Sequence, residues 1–167
     1  TNTQMDLGAV TLTADSTLKS GSTALNVASV TDGAGPFDLS LQDAAATGTV
    51  TFSGDVTIDD LITFAGAYAV TLNGSSNSFD SPVTFLNTGA LTLGNLAADT
   101  FLFGGGLTAA DPSGVTLNGQ ILTSGAAVTL GDAGTAITLA GTTSIIDTTN
   151  AGGTPAGATI TFDGTVN

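Results

Sequence analysis

Val70-Thr71-Leu72-Asn73-Gly74 decides the fold of this chain, because it recurs letter for letter as Val115-Thr116-Leu117-Asn118-Gly119. Looser copies run through the rest: Val10-Thr11-Leu12, Val50-Thr51-Phe52-Ser53-Gly54, Ile62-Thr63-Phe64-Ala65-Gly66, Val83-Thr84-Phe85 and Leu91-Thr92-Leu93-Gly94. Val128-Thr129-Leu130-Gly131, Ile137-Thr138-Leu139-Ala140-Gly141 and Ile160-Thr161-Phe162-Asp163-Gly164 complete the series. Large apolar, Thr, large apolar is a period-two alternation of residues that favour strands. Successive strand side chains point to opposite faces, so the apolar pair faces a core and Thr faces out. The Gly or Asn-Gly that follows turns the chain. Each phrase reads as one short strand and one corner.

The spacing supplies the architecture. Strand starts at Val50, Val70, Leu91, Val115, Ile137 and Ile160 lie 20, 21, 24, 22 and 23 residues apart. A second series, Ile62, Val83, Phe101, Val128 and Ile145, falls roughly half a period later. A repeat of about 22 residues with two or three strands is one coil of a β-solenoid, stacked on the next at about 4.8 Å. The expected core is a stack of Val70, Leu72, Leu91, Leu93, Val115, Leu117, Ile137 and Leu139. Residues 1–167 read as a single domain, with 1–49 less regular and 50–167 in regular coils. Gln42 to Thr47 and Asn95 to Thr100 have room for one helical turn at most. An antiparallel β-sandwich or jelly roll is the alternative, since short strands at close spacing also fit it. Parallel contacts about one repeat apart favour the solenoid, and hairpin contacts the sandwich.

Composition narrows the function. All 14 acidic residues are Asp, and Lys19 is the sole cation, for a net charge of −13. Binding to nucleic acid or to an anionic membrane surface needs Lys and Arg, so both are disfavoured. Asp rather than Glu suits turns, and the loss of Glu and Arg removes most strong helix formers. There is no Cys to staple the chain. No stretch nears the ~18 apolar residues of a membrane-spanning helix. Thr1-Asn2-Thr3-Gln4 lacks the basic and apolar regions of a signal peptide, which reads as a mature chain or a piece of something longer.

Catalysis has little to work with. No His or Cys is present for a nucleophilic triad. Asp59-Asp60 is the one adjacent acidic pair, and neighbours on a strand point to opposite faces rather than to one bond. The reading is therefore a non-enzyme without a cofactor. Calcium is the one cation considered, with Asp55, Asp59 and Asp60, or Asp132 with Asp147, as carboxylates that stacked corners can bring together. The outward column Thr51, Thr71, Thr92, Thr116, Thr138 and Thr161 reads as a hydroxyl ladder that solvates the sheet, against a lesser reading as an ice-binding face. Tyr68 reads as a packed ring rather than a sugar platform.

Two stretches resemble a known family. They are Gly141-Thr142-Thr143-Ser144-Ile145-Ile146-Asp147-Thr148-Thr149-Asn150 with Ala158-Thr159-Ile160-Thr161-Phe162-Asp163-Gly164-Thr165-Val166-Asn167, and Ala9-Val10-Thr11-Leu12-Thr13-Ala14-Asp15-Ser16-Thr17-Leu18. They are similar to the β-strand repeats of giant bacterial surface proteins, the filamentous-haemagglutinin-like adhesins and autotransporter passenger regions. The resemblance implies a right-handed parallel β-helix and secretion to the bacterial cell surface, and it carries over no catalytic residue. The whole reading is an all-β, right-handed parallel solenoid of about seven coils, a structural module of an extracellular filament, sheath or adhesin. Its expected partner is itself, through Ile160, Phe162 and Val166 at the C-terminal edge, in tandem copies or head to tail. The alternative is glycan or cell binding through the loops at Asp32 to Pro36 and Thr148 to Gly157.

Overall fold

The computed structural model describes residues 4–167, among which there are twenty strands and no helix. Thr1 to Thr3, part of the stretch read above for a signal peptide, lie outside the described residues. The first coil is β1 (Gln4–Leu12) and β2 (Ser16–Leu18), and the second is β3 (Ala24–Asp32) and β4 (Asp38–Leu41). β5 (Val50–Phe52), β6 (Val56–Ile58) and β7 (Asp60–Thr63) make the third, and β8 (Val70–Leu72), β9 (Ser76–Phe79) and β10 (Val83–Thr84) the fourth. The fifth has β11 (Leu91–Leu93), β12 (Thr100–Phe103) and β13 (Leu107–Ala109), and the sixth β14 (Gly114–Leu117), β15 (Gln120–Leu122) and β16 (Val128–Leu130). β17 (Ala136–Leu139), β18 (Ile145–Asp147) and β19 (Ile160–Phe162) form the seventh, and β20 (Thr165–Val166) opens an eighth.

Every strand pairs in parallel with the strand one coil away, which selects the solenoid over the sandwich. The first face stacks β5, β8, β11, β14, β17 and β20, and the second stacks β6, β9, β12, β15 and β18. The third face holds β2, β4 and β7, then β10, β13, β16 and β19. The first two faces join in one thirteen-stranded sheet because β3 runs straight through their shared corner. Its Leu25 to Val27 pair with β5, and its Val30 and Thr31 pair with β6. This is the physical content of the irregular opening. In the first two coils a nine-residue strand replaces two strands and a glycine corner.

The core is the inward half of the alternation. Val50, Phe52, Val70, Leu72, Leu91, Leu93, Val115, Leu117 and Ile137 are all at most 1% exposed, each contributing about 1.5–3 kcal/mol by burial. Between the second and third faces, Phe79 stacks on Phe103 at 5.1 Å and Phe85 meets Phe103 edge-on at 6.4 Å. Tyr68 is fully buried, as expected of a packed ring, and its hydroxyl accepts the Phe64 N–H at 2.8 Å.

Corners are closed by buried polar side chains that reach the neighbouring coil. Asn77 Oδ1 accepts the Val56 N–H, while its Nδ2 donates to the Gly74 and Thr100 carbonyls, so one amide spans three coils. Gln42 is buried at φ 63°, and its Oε1 accepts the Ser20 and Gly21 N–H groups. Asp99, also buried, closes its own turn instead, its Oδ2 accepting the Asn95 and Leu96 N–H groups. These brackets form turns where one helical turn had been allowed. On the third face, backbone pairing lapses between β7 and β10. There the Thr63 hydroxyl accepts the Leu86 N–H and donates to the Thr84 carbonyl.

Three expectations need correction. Ile160 does not stack on Ile137. It pairs with Val128 on the third face, and Val166 takes the place above Ile137. The turns from Thr148 to Gly157 lengthen that coil and displace the phrase by one face. Second, the half-period series mixes faces, since Val83 and Val128 lie on the third while Phe101 and Ile145 lie on the second. Third, Leu139 is 38% exposed rather than core, because it sits near the open end of the stack.

Candidate functional site

The expected contact residues Ile160, Phe162 and Val166 fall on the outermost strands, β19 and β20. Parallel pairing gives each a partner on one side only: β19 bonds to β16, β20 to β17, and beside them β18 to β15. Among the described residues, no strand lies on the outer edge of β18, β19 or β20. Their side chains continue the alternation of the coils beneath without a coil above to cover them. Ile160, Phe162 and Val166 are 39–45% exposed, whereas their register partners Val128, Leu130 and Ile137 one coil below are fully buried. Unpaired N–H and C=O groups together with half-covered apolar side chains make this edge a template for another strand. Sequence reasoning named these three residues and missed Leu139, 38% exposed at the end of β17.

The opposite end is similar but shallower. Among the described residues, β1 pairs with β3 alone, and Met5 is 37% exposed with Leu7 and Val10 partly covered.

The carboxylates do not converge as the calcium reading expected. Among the described residues, no group of three or more Asp side chains is placed to hold a metal ion. Asp55 Oδ1 accepts the Ser76 N–H and the Ser75 hydroxyl. Asp59 Oδ2 accepts the Ser81 hydroxyl, and Asp60 stacks in register on Asp38 across β7 and β4. Burial and the neighbouring carboxylates of Asp15, Asp59 and Asp32 raise the Asp38 pKa, and burial followed by Asp38 raises that of Asp60. Asp132 and Asp147 lie on different corners, and each caps its own turn. Asp132 is held low by the Thr135 hydroxyl and the Gly134 N–H, and Asp147 by the Thr149 hydroxyl and N–H and the Ala151 N–H.

The two loops considered for recognition share a corner, between the second and third faces, but not a coil. Asp32 to Pro36 belongs to the second coil and Thr148 to Gly157 to the seventh. Five steps of about 4.8 Å keep them roughly 24 Å apart along the axis, so they form no common cleft. A cavity of about 420 Å³ opens beside the first, lined by Asp32, Gly35, Pro36, Thr57, Ile58 and Asp80. The second loop is tightly braced. Asn150, Ala151 and Gly152 are consecutive left-handed residues, the Asp147 carboxylate caps the turn, and the Thr148 hydroxyl bonds both backbone groups of Ala158.

The Thr column is real and is in fact two columns. Thr51, Thr71, Thr92, Thr116 and Thr138 are successive partners on the first face. Thr161 belongs instead with Thr84, Thr108 and Thr129 on the third. Comparison with known proteins gives no matching family model, no similar curated protein and no similar solved structure.

Proposed function

We propose that this chain is a non-catalytic structural module of a bacterial extracellular filament, sheath or adhesin, and that it extends by end-to-end stacking of like coils. The observation that carries this reading is the open edge of the last coil. Ile160, Phe162 and Val166 stand 39–45% exposed on strands with a free side. A further coil of the same pattern, from a tandem repeat or from a second copy, would bury these side chains and pair their backbones at once. A contact of this head-to-tail kind does not close, so it builds fibres rather than rings. The charge of −13, the absence of Cys and the solvated Thr columns suit a surface-exposed stalk.

The test is sedimentation and electron microscopy of the purified chain, with Phe162→Lys as the comparison. Linear oligomers that grow with concentration and disappear in F162K are the expected result. A strictly monomeric species at high concentration would contradict it.

A second reading, binding of a glycan or another cell, draws on the bracing of the loop from Thr148 to Gly157. A rigid loop loses little entropy on binding. A glycan array separates the two readings, since a pure spacer binds nothing and a recognition loop loses its signal when Asp147 is replaced by Ala.

A further inference from the structure

The outward side of β7 is unlike that of the other strands on the third face. Leu61 and Thr63 are buried, so the alternation turns Asp60, Ile62 and the following Phe64 outward. Register places Asp38 and Ser40 beside Asp60 and Ile62 in the coil below. In the coil above, the Thr63 hydroxyl bonds the Thr84 carbonyl and the Leu86 N–H, which puts Thr84 beside Ile62 and Leu86 beside Phe64. Phe64 and Leu86 are 41% and 37% exposed. Away from the first and last coils, only Leu96 among the other large apolar side chains described is as exposed. The column of Ile62 and Thr84 continues upward as Thr108 and Thr129, so the apolar bulk is confined to the third and fourth coils. Between β7 and β10, where the ladder lapses, lies a cavity of about 220 Å³ lined by Asp60, Ile62, Thr63, Pro82, Thr84 and Leu86.

One end of this surface is acidic and the other apolar. Asp38 and Asp60 stack in register, with Asp59 and Asp15 close enough to repel them. Burial and then Asp38 raise the pKa of Asp60, as for a carboxylate with no cation opposite. Lys19, the sole cation, is held by Asp43 at 3.4 Å beyond the apolar end.

We propose that this surface docks an extended segment of a partner protein, one that carries Arg with apolar side chains at alternate positions after it. Each end selects that chemistry. A guanidinium presents coplanar donors to the two carboxylates, and its stem crosses the cavity over Ile62. About 13 Å of strand separates Asp60 from Phe64, so an apolar side chain two or four residues along meets Phe64 and Leu86. The charge of −13 draws a basic segment in and repels an acidic one. A second copy fits poorly, because its one cation is Lys19. The site uses the second to fourth coils and does not depend on the end-to-end stacking proposed above.

The experiment is two-dimensional NMR of the whole labelled chain, titrated with the peptide Ser-Arg-Thr-Leu-Thr-Leu-Ser, its reversed sequence, and both with Gln for Arg. The expected result is saturable shifts at Asp60, Ile62, Thr63 and Leu86 with one Arg peptide, weaker in high NaCl. The Gln form, and separately Asp60→Asn in the chain, should each weaken binding about fivefold, the size of one ion pair. Asp163→Asn removes the same charge four coils and about 19 Å away, beyond the screening length, and should leave binding within about twofold. Should D60N fail to melt cooperatively, Phe64→Ser at an exposed position replaces it. The proposal is overturned if neither Arg peptide shifts these residues, if the Gln forms bind as well, or if D60N and D163N weaken binding equally. Shifts confined to Ile160 and Phe162 overturn it too, as does binding of cellohexaose here in place of the peptides.

Discussion

Replacing Asn77 by Ala tests whether side chains, and not only strand ladders, hold the coils together. Asn77 is 2% exposed and points inward from β9, where an apolar residue would ordinarily sit. Its amide serves Val56 in the coil below, Gly74 in its own coil and Thr100 in the coil above, at 3.1, 2.8 and 3.2 Å. Truncation strands one buried N–H and deprives two carbonyls of a donor. A buried group left unsatisfied costs about 1–3 kcal/mol, and each carbonyl keeps a second lone pair, so the loss should be about 2–4 kcal/mol. Against a total stability of about 5–15 kcal/mol, that is a large fraction. In urea, with a slope near 2 kcal/mol per molar, the midpoint should fall by about 1–2 M. Asn26→Ala is the control, because Asn26 is only half-buried and bonds the exposed Asp6 at 2.8 Å. Its midpoint should move by less than about 0.5 M, in line with surface substitutions. Equal shifts for the two variants would refute the bracket.

Leu117→Asp should abolish cooperative melting by burying an unpaired carboxylate, whereas Thr116→Ser one residue away should change stability by less than about 1 kcal/mol; circular-dichroism melts of both check the inward and outward assignment. Gly94→Ala should destabilise by more than about 2 kcal/mol, since φ is 84° and the new Cβ would lie 2.1 Å from the Asn118 carbonyl oxygen. Gly8→Ala, with nothing within 4 Å, should be close to neutral in the same denaturation assay. Asp38→Asn should raise stability at pH 7. A raised pKa means that the folded chain holds the proton more tightly than the unfolded chain. The penalty of the charged form therefore grows as pH rises from the ordinary carboxylate value through the raised one. The difference between D38N and the natural chain should vanish below about pH 3.5, where Asp38 is protonated in both states.

The first face was legible because its strands all repeat one phrase. Val50, Val70, Leu91, Val115 and Ile137 occupy one column at the intervals read from the sequence. The second face was much harder to see. Ser76-Asn77-Ser78-Phe79 has a buried amide at an inward position, and Gln120-Ile121-Leu122 is apolar on both faces, so neither shows the expected alternation. The misplacement of Ile160 has a different cause. Its phrase has the right rhythm, but the braced turns from Thr148 to Gly157 advance it by one face, and no periodicity records the length of a loop. The open edge was visible as Ile160, Phe162 and Val166 because apolar residues keep arriving there. The brackets of Gln42 and Asn77 were not, since each depends on which coil lies next to it.

Distances along the Thr column test most directly whether the coils stack in parallel and in register. The chain has no Cys, so spin labels can be placed on Thr51→Cys paired in turn with Thr92→Cys, Thr116→Cys and Thr138→Cys. Electron paramagnetic resonance should give backbone separations of about 10, 14 and 19 Å, one strand spacing more at each step. A series that fails to climb with coil number, or that brings position 138 back towards position 51, would contradict the solenoid and everything built on it.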